Sequence, residues 1–290
     1  MIQVQNSYVT NDKGTLYVVP TPIGNLEDIT FRALKTLEAV ALIAAEDTRH
    51  TQKLLNHFDI KNTLLSYNEH NHEGRVEQIM TKLEEKADVA LVSDAGMPAI
   101  SDPGYDLVQA AIARNVNVVV LPGASAAICA LVASGLSTDE FLFHGFLPRK
   151  KKEKLETLQR LGNGPATVIL YESPYRIKDT LKAIEQALGN RHIAIAREIT
   201  KLYEQFIRGN VEDVSDWLKT NEIKGECCIV IEGTDKAVVE DDNWWHELTI
   251  EEHVAAYETK EGLANKAAMK KVAVDRGISR RDVYQAIHVK

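Results

Sequence analysis

Cysteine is scarce in this chain of 290 residues. Three cysteines, two of them adjacent at Cys227 and Cys228, exclude a disulfide framework and suit a reducing compartment. The opening segment MIQVQNSYVTNDKG lacks the basic start and apolar stretch of a secretory signal, so a soluble cytoplasmic protein is expected. Long apolar runs are also wanting. The one uncharged stretch near membrane length, 116–136, is broken by Asn117, Pro122, Gly123, Ser125 and Ser134, and predicts a buried strand, a tight turn and a helix of small residues instead. There is no P-loop, no CxxC and no GxSxG. The first proline-bearing loop, PTPIGN, is not a GxGxxG fingerprint, which argues against a nicotinamide or flavin enzyme. His70 and His72 stand close in YNEHNHEGR but without third and fourth ligands at metal spacing, so no metal is expected.

What is present is an ordinary globular composition, 44% hydrophobic and 26% charged, enough to bury a sizeable core in two or three domains. A formal charge of -8 excludes a chain that coats nucleic acid over its whole surface, because phosphate affinity comes from cations. The charge is unevenly placed. Residues 235–261 hold nine acids against two bases, whereas 262–290 hold seven bases against two acids. A polyanion is therefore expected at the tail.

Short β-branched runs at 15–20, 41–46, 88–93 and 117–121 alternate with helix-like segments, the βαβ rhythm of a parallel sheet. Phe31, Leu34, Leu37 and Ala41 follow Thr30 at helical spacing and predict a helix with Thr30 as its N-cap. A second series of runs, at 166–172, 192–197, 204–209 and 226–233, follows the basic patch Arg149–Lys154. The fold class is therefore α/β, with an N-terminal α/β domain over 1–145, a second over 146–234, an acidic linker over 235–247 and a small helical domain over 248–290. In the last of these, 263–276 is helical in pattern, Gly277-Ile278 makes a turn, and Ser279 and Asp282 have capping-box spacing before another helix. The pattern fits a helix-turn-helix, or an αα-hairpin that only packs.

Ligands of open α/β sheets sit beyond the carboxyl ends of the strands, so the loops there matter most. SDAGMPAISDPG (93–104) follows a predicted strand and carries glycines at 96 and 104, prolines at 98 and 103 and acids at 94 and 102. Glycine permits close backbone approach, proline fixes the path, and Asp94 can take a ribose hydroxyl or an ammonium group. The alternative is an ordinary strand-to-helix turn with Asp102 capping a helix at Pro103. LPGASAAICAL (121–131) puts small side chains where a flat ring could lie on the backbone, or where a helix packs tightly on a sheet. YESPYR (171–176) sets an aromatic, an acid and an arginine at another strand end, and AAEDTRHT (44–51) gathers Glu46, Asp47, Arg49 and His50, either a reactive cluster or a surface salt-bridge group.

In this order and spacing, VPTPIGNLEDIT, AAEDTRHT, LVSDAGMPAISDPG, LPGASAA and YESPYR resemble the ribosomal RNA small subunit methyltransferase I family, of the tetrapyrrole-methylase-like class III methyltransferases, over essentially the whole chain. The resemblance implies two α/β domains forming a tetrapyrrole-methylase-like cleft for S-adenosyl-L-methionine, usually in a homodimer. It also implies 2′-O-methylation of a cytidine in the decoding centre of 16S rRNA, within the small ribosomal subunit. Matched position by position, the implied cofactor residues are Pro22 and Ile23, then Asp94, Gly96, Met97 and Ser101, then Ser125, Ala126 and Tyr171. Porphyrin-methylating relatives carry a glycine-rich first loop where this chain has PTPIGN, which counts against a tetrapyrrole substrate.

Methyl transfer from a sulfonium to a hydroxyl is an in-line displacement that needs orientation and a proton acceptor. Glu46 or Asp47 is the candidate acceptor and Arg49 the holder of an adjacent phosphate, with Arg197 and Glu198 at another strand end. Lys266, Lys270, Lys271, Arg276, Arg280 and Arg281 are the candidate RNA-docking cations. Two other readings stay open: a helix-turn-helix regulator whose body senses a small molecule, and a methyltransferase acting on a tetrapyrrole.

Overall fold

The computed structural model describes residues 2–7, 12–69, 71–234, 245 and 248–288, without the side chains of His72, Glu73 and Lys260. His70, the side chain of His72, and all of the acidic linker except Trp245 thus lie outside what is described. The chain divides into two compact units, Met1–Gly233 and Thr234–Lys290.

In the first unit, β1 (Thr15–Val18), β2 (Leu42–Ala45), β3 (Leu64–Ser66), β4 (Val89–Val92) and β5 (Asn117–Val120) form a wholly parallel sheet in the order β3-β2-β4-β1-β5. Parallel neighbours need crossovers, and α1 (Phe31–Ala39), α2 (Thr48–His57), α3 (His72–Glu84) and α4 (Tyr105–Ala113) supply them. Because side chains alternate across a strand, Leu16, Ala44, Val89 and Leu91 pack with Ile79, Leu83 and Leu107 of α3 and α4. Ile43, Ala45, Ala90 and Val92 face the other way, onto Leu37 and Leu55 of α1 and α2. Helices on both faces are the reason the β4 run is apolar without a break. The Thr30 hydroxyl accepts from Ala33 N and starts α1 where its spacing predicts.

A second sheet takes β6 (Phe141–Phe146), β7 (Thr167–Glu172), β8 (His192–Arg197), β9 (Gln205–Asn210) and β10 (Cys227–Ile231) in the order β6-β7-β10-β8-β9, parallel only between β6 and β7. One face is covered by α6 (Lys151–Gly162), α7 (Ile177–Leu188) and α8 (Val211–Thr220). The other is covered by α5 (Ala126–Ser134), which leaves the first sheet at β5 and lays Ala127, Ala130 and Leu131 on Ile169, Ala194, Cys228 and Val230. All eight strand runs read from the sequence are strands, and 116–136 resolves into strand, turn and helix. β3 and β6 lie outside the runs that the sequence pattern predicts, and β6 is an edge strand of the second sheet although its residues fall almost wholly within 1–145. Among the described residues no helix is long and apolar enough to cross a membrane.

The second unit packs α9 (Ile250–Glu261), α10 (Asn265–Asp275) and α11 (Arg280–His288) around Val254, Tyr257, Ala268, Val272 and Val283. Reciprocal caps open two of these helices, Thr249 with Glu252 before α9 and Ser279 with Asp282 before α11. The turn between α10 and α11 passes through Gly277 at φ 63°.

Asp102 does not cap α4. The N-cap is Gly104 at φ 145° and ψ -26°, a conformation only glycine takes without strain, and Asp102 faces a cavity instead. A Cβ on Gly104 would lie 2.8 Å from Leu91 Cδ2 and 3.1 Å from Ala99 Cβ. Gly104→Ala is expected to lower the free energy of urea unfolding by about 2–3 kcal/mol, strain and crowding together. Gly135→Ala, at φ 78° but with nothing within 4 Å, should cost about 1 kcal/mol. Equal losses in equilibrium unfolding would show that the crowding at Gly104 is not felt.

Candidate active site

The carboxyl ends of β1, β2, β4 and β5 open, together with strand ends of the second sheet, on a cavity of about 440 Å³, within the roughly 300–1,000 Å³ of small-molecule sites. The loops after β1 and β4 are clamped to each other by two backbone bonds, Thr21 N to Gly96 O and Gly96 N to Thr21 O, both 3.0 Å. Thr21 Oγ1 also donates to Ser93 O at 3.1 Å. Gly96 sits at φ 81°, and a Cβ there would press to 3.3 Å from Ile23 Cγ2, so glycine is what lets Ile23 come close. Asn25 N donates to Thr200 Oγ1 at 3.0 Å and so ties the first loop to the segment that follows β8.

The wall is acidic. Glu46, Asp94, Asp102, Glu172 and Glu226 line it against one lysine, Lys201, among the described residues. Glu172 is spent within the protein: it takes bonds from Thr180 Oγ1 (2.6 Å) and Ser173 N (2.8 Å) and pairs with Arg176 at 3.3 Å. Lys201 donates to Glu198 and Glu226, each at 3.0 Å. Glu46, Asp94 and Asp102 therefore set the charge a ligand meets. Burial raises the Glu46 carboxyl above its ordinary value, opposed by a bond from Asp94 N (3.3 Å) and reinforced by the charge of Asp94. Burial, with the Glu46 charge beside it, pushes Asp102 up to about 6. Ile23, Met97, Ala126 and Tyr171 add apolar surface. Tyr171 meets Phe143 edge-on at 4.9 Å, and burial lifts its phenol to about 12, opposed in part by the nearby Ala127 backbone. Such a wall suits a ligand that joins positive charge to a flat apolar part.

Of the residues singled out from the sequence, Ile23, Glu46, Asp94, Gly96, Met97, Ser101, Ser125, Ala126 and Tyr171 all line this cavity. Pro22, Asp47 and Arg49 do not. Pro22 is buried and shapes the backbone ahead of Ile23. Asp47 is the N-cap of α2, accepting from Arg49 N at 2.8 Å, and it grips the Arg49 side chain through Nε (3.1 Å) and Nη2 (2.7 Å). These bonds hold the Asp47 carboxyl well below the usual range, while the Arg49 side chain is 87% exposed. Arg197 and Glu198 are also off the wall: Arg197 donates to Lys224 O and Gln205 Oε1, and Glu198 holds Lys201. Sequence reasoning missed Lys201, Glu226, Cys228, Ile199 and Phe146 as wall residues. Lys201 follows a strand end by four positions, which is a usable signal; the others depend on how the second sheet is placed.

In the tail, Lys266, Lys270, Arg280 and Arg281 are exposed. Lys271 is engaged by Glu261 (2.7 Å) and lies 4.4 Å over the Tyr257 ring. Arg276 donates to His253 Nδ1, Trp245 O and Thr249 O, each at 3.2 Å, and stands 5.0 Å over the Trp245 ring. It adds a second donor to carbonyls that already accept from Leu248 N and His253 N, and so works as an internal staple between α10 and the segment before α9.

Residues 15–215 match the family model for tetrapyrrole (corrin/porphyrin) methylases. A ribosomal RNA small subunit methyltransferase I from Halalkalibacterium halodurans is 51% identical over 288 residues, 99% of each chain. Among solved structures, a cobalamin-biosynthetic cobalt precorrin-4 methyltransferase superposes with a TM-score of 0.59 at 20% identity, covering 78% of this chain and 98% of its own. A uroporphyrin-III C-methyltransferase from Thermus thermophilus, complexed with S-adenyl homocysteine, superposes with a TM-score of 0.52 at 17% identity, covering 75% and 97%. Those two likenesses speak for the fold, two α/β layers around strand-end loops. By the family model and by near full-length identity, this chain belongs to the tetrapyrrole methylase family of methyltransferases and, within it, to the ribosomal RNA small subunit methyltransferase I family.

Proposed function

We propose that this methyltransferase acts on the ribose 2′-hydroxyl of a cytidine in the 16S rRNA of the small ribosomal subunit, with S-adenosylmethionine as donor, in the cytoplasm and as a homodimer. One observation carries the reading: Glu46, Asp94 and Asp102 face one cavity beside Tyr171 at joined strand ends. The RNA substrate is supported by the name of a relative that matches end to end, and the donor by a fold relative solved with S-adenyl homocysteine. S-Adenosylmethionine supplies a methyl group made electrophilic by its sulfonium. Ile23, Gly96, Met97, Ser101, Ser125, Ala126 and Tyr171 would hold its neutral parts, and Asp94 with Asp102 its positive charge.

A ribose hydroxyl becomes a nucleophile only as its proton leaves, and the acceptor works best when its own proton affinity lies toward neutrality. Glu46 meets that condition because burial raises it. Asp47 does not, because Arg49 holds it as a carboxylate. Arg49 keeps Nη1 without a protein acceptor among the described residues, available to a phosphate oxygen while Nε and Nη2 stay on Asp47. Lys266, Lys270, Arg280 and Arg281 dock the RNA backbone.

Glu46→Gln should lower kcat for methyl transfer to small subunits about 10²- to 10⁴-fold, while calorimetric affinity for S-adenosylhomocysteine stays within about threefold. Loss of that affinity would assign Glu46 to the donor pocket instead. Below its pKa of about 6, Asp102 is neutral and the cavity loses a negative charge. Affinity for S-adenosylhomocysteine, which carries an ammonium, should therefore fall as pH drops from about 7.5 to 5.5, and Asp102→Asn should remove most of that dependence. A flat profile in the unaltered protein contradicts the charge assignment. Replacing Arg280 and Arg281 by alanine should reduce the log-log salt slope of single-stranded RNA binding by about 0.7 for each phosphate no longer neutralised. An unchanged slope makes the tail a packing element.

A further inference from the structure

The solvent face of α11 is more than basic. Val283 and Ile287 turn into the small core of the second unit, which leaves Arg280, Arg281, Tyr284 and His288 exposed at spacings of three, four and seven that share a helix side. Tyr284 is 54% exposed, and the His288 ring lies 4.5 Å from it at 50°. Asp282, the one acid among them, is turned to the helix cap, where Oδ2 accepts from Ser279 N (3.2 Å) and Ser279 Oγ (2.7 Å). The open face thus presents two guanidinium groups and two rings.

We propose that this face of α11 grips unpaired RNA, with Tyr284, backed by His288, stacking on a base and with Arg280 and Arg281 on the flanking phosphates. The proposal rests on the RNA reading of the tail and adds the kind of RNA it takes. In an A-form duplex each base face is covered by its neighbours, and the major groove is too deep and narrow for side chains to read. An exposed tyrosine finds a stacking partner only where bases are splayed out. Every base offers a flat face, so this surface supplies grip without sequence choice. A duplex or an acidic protein surface would satisfy the arginines and leave the rings without a role.

The test is fluorescence anisotropy of the full chain with a labelled single-stranded oligoribonucleotide of roughly ten nucleotides, with the same sequence as a blunt duplex, and with polyglutamate as competitor, across a potassium chloride series. Tyr284→Ala should weaken single-strand binding roughly tenfold with an unchanged salt slope, because the variant removes a stacking ring and no charge. Tyr284→Phe should retain the affinity, and duplex binding should be the same in all three proteins. The proposal is overturned if Tyr284→Ala leaves single-strand affinity unchanged, weakens the duplex equally, or if polyglutamate competes as well as RNA. A lowered slope in the Arg280→Ala/Arg281→Ala protein would then still support docking of RNA by the tail. If the unaltered chain binds neither RNA with any salt dependence, RNA docking by the tail fails, and this proposal with it. Circular dichroism of each variant confirms that α11 is kept.

Discussion

Two backbone hydrogen bonds between Thr21 and Gly96 set the geometry on which the site depends. Loop amides and carbonyls that leave a sheet must find partners, and here the loops after β1 and β4 find each other. The consequence is positional: Ile23 and Asp94, more than seventy residues apart in sequence, are placed on one wall by main-chain bonding that does not depend on side-chain identity, except at Gly96. The φ of 81° and the 3.3 Å approach to Ile23 Cγ2 make that position intolerant of a side chain. From this clamp, Asn25 carries the first loop on to Thr200, so a cavity assembled from two sheets is fixed from one edge.

Electrostatics then divides labour between neighbours. Glu46 and Asp47 are adjacent carboxylates shifted in opposite directions, one by burial and the other by an exposed guanidinium. The cause is the end of β2, where the chain passes from a strand into the N-cap of α2: one residue still points into the cavity while the next turns to serve helix amides. Of this adjacent pair only Glu46, the acid raised by burial, is on the cavity wall. Asp102 joins Glu46 because the Gly104 turn, not the Asp102 side chain, starts α4 and leaves that carboxylate for the cavity.

The tail repeats the lesson with cations. Arg276 and Arg280 are four residues apart, yet the first is consumed by carbonyls and a ring while the second is exposed. A basic count over 262–290 identifies a charged segment without saying which charges remain available. Lys271, held by Glu261, is a second cation that the count overstates.

Local signals in the sequence determined a great deal. Eight strands, the Thr30 cap, the Ser279/Asp282 box and the Gly277 turn follow from periodicity and capping chemistry, which act over a few residues. Most of the loop residues matched by family resemblance lie on one wall, because strand-end loops of a parallel sheet emerge on one side. Only the tertiary structure decided the rest. That α5 covers the second sheet, that β6 joins it, that Lys201 and Cys228 reach the cavity while Pro22, Asp47 and Arg49 do not: each depends on which surfaces meet. Periodicity tells a residue's side of its own element, but the neighbour across that side is set by packing between segments far apart in the chain, and no local pattern encodes it.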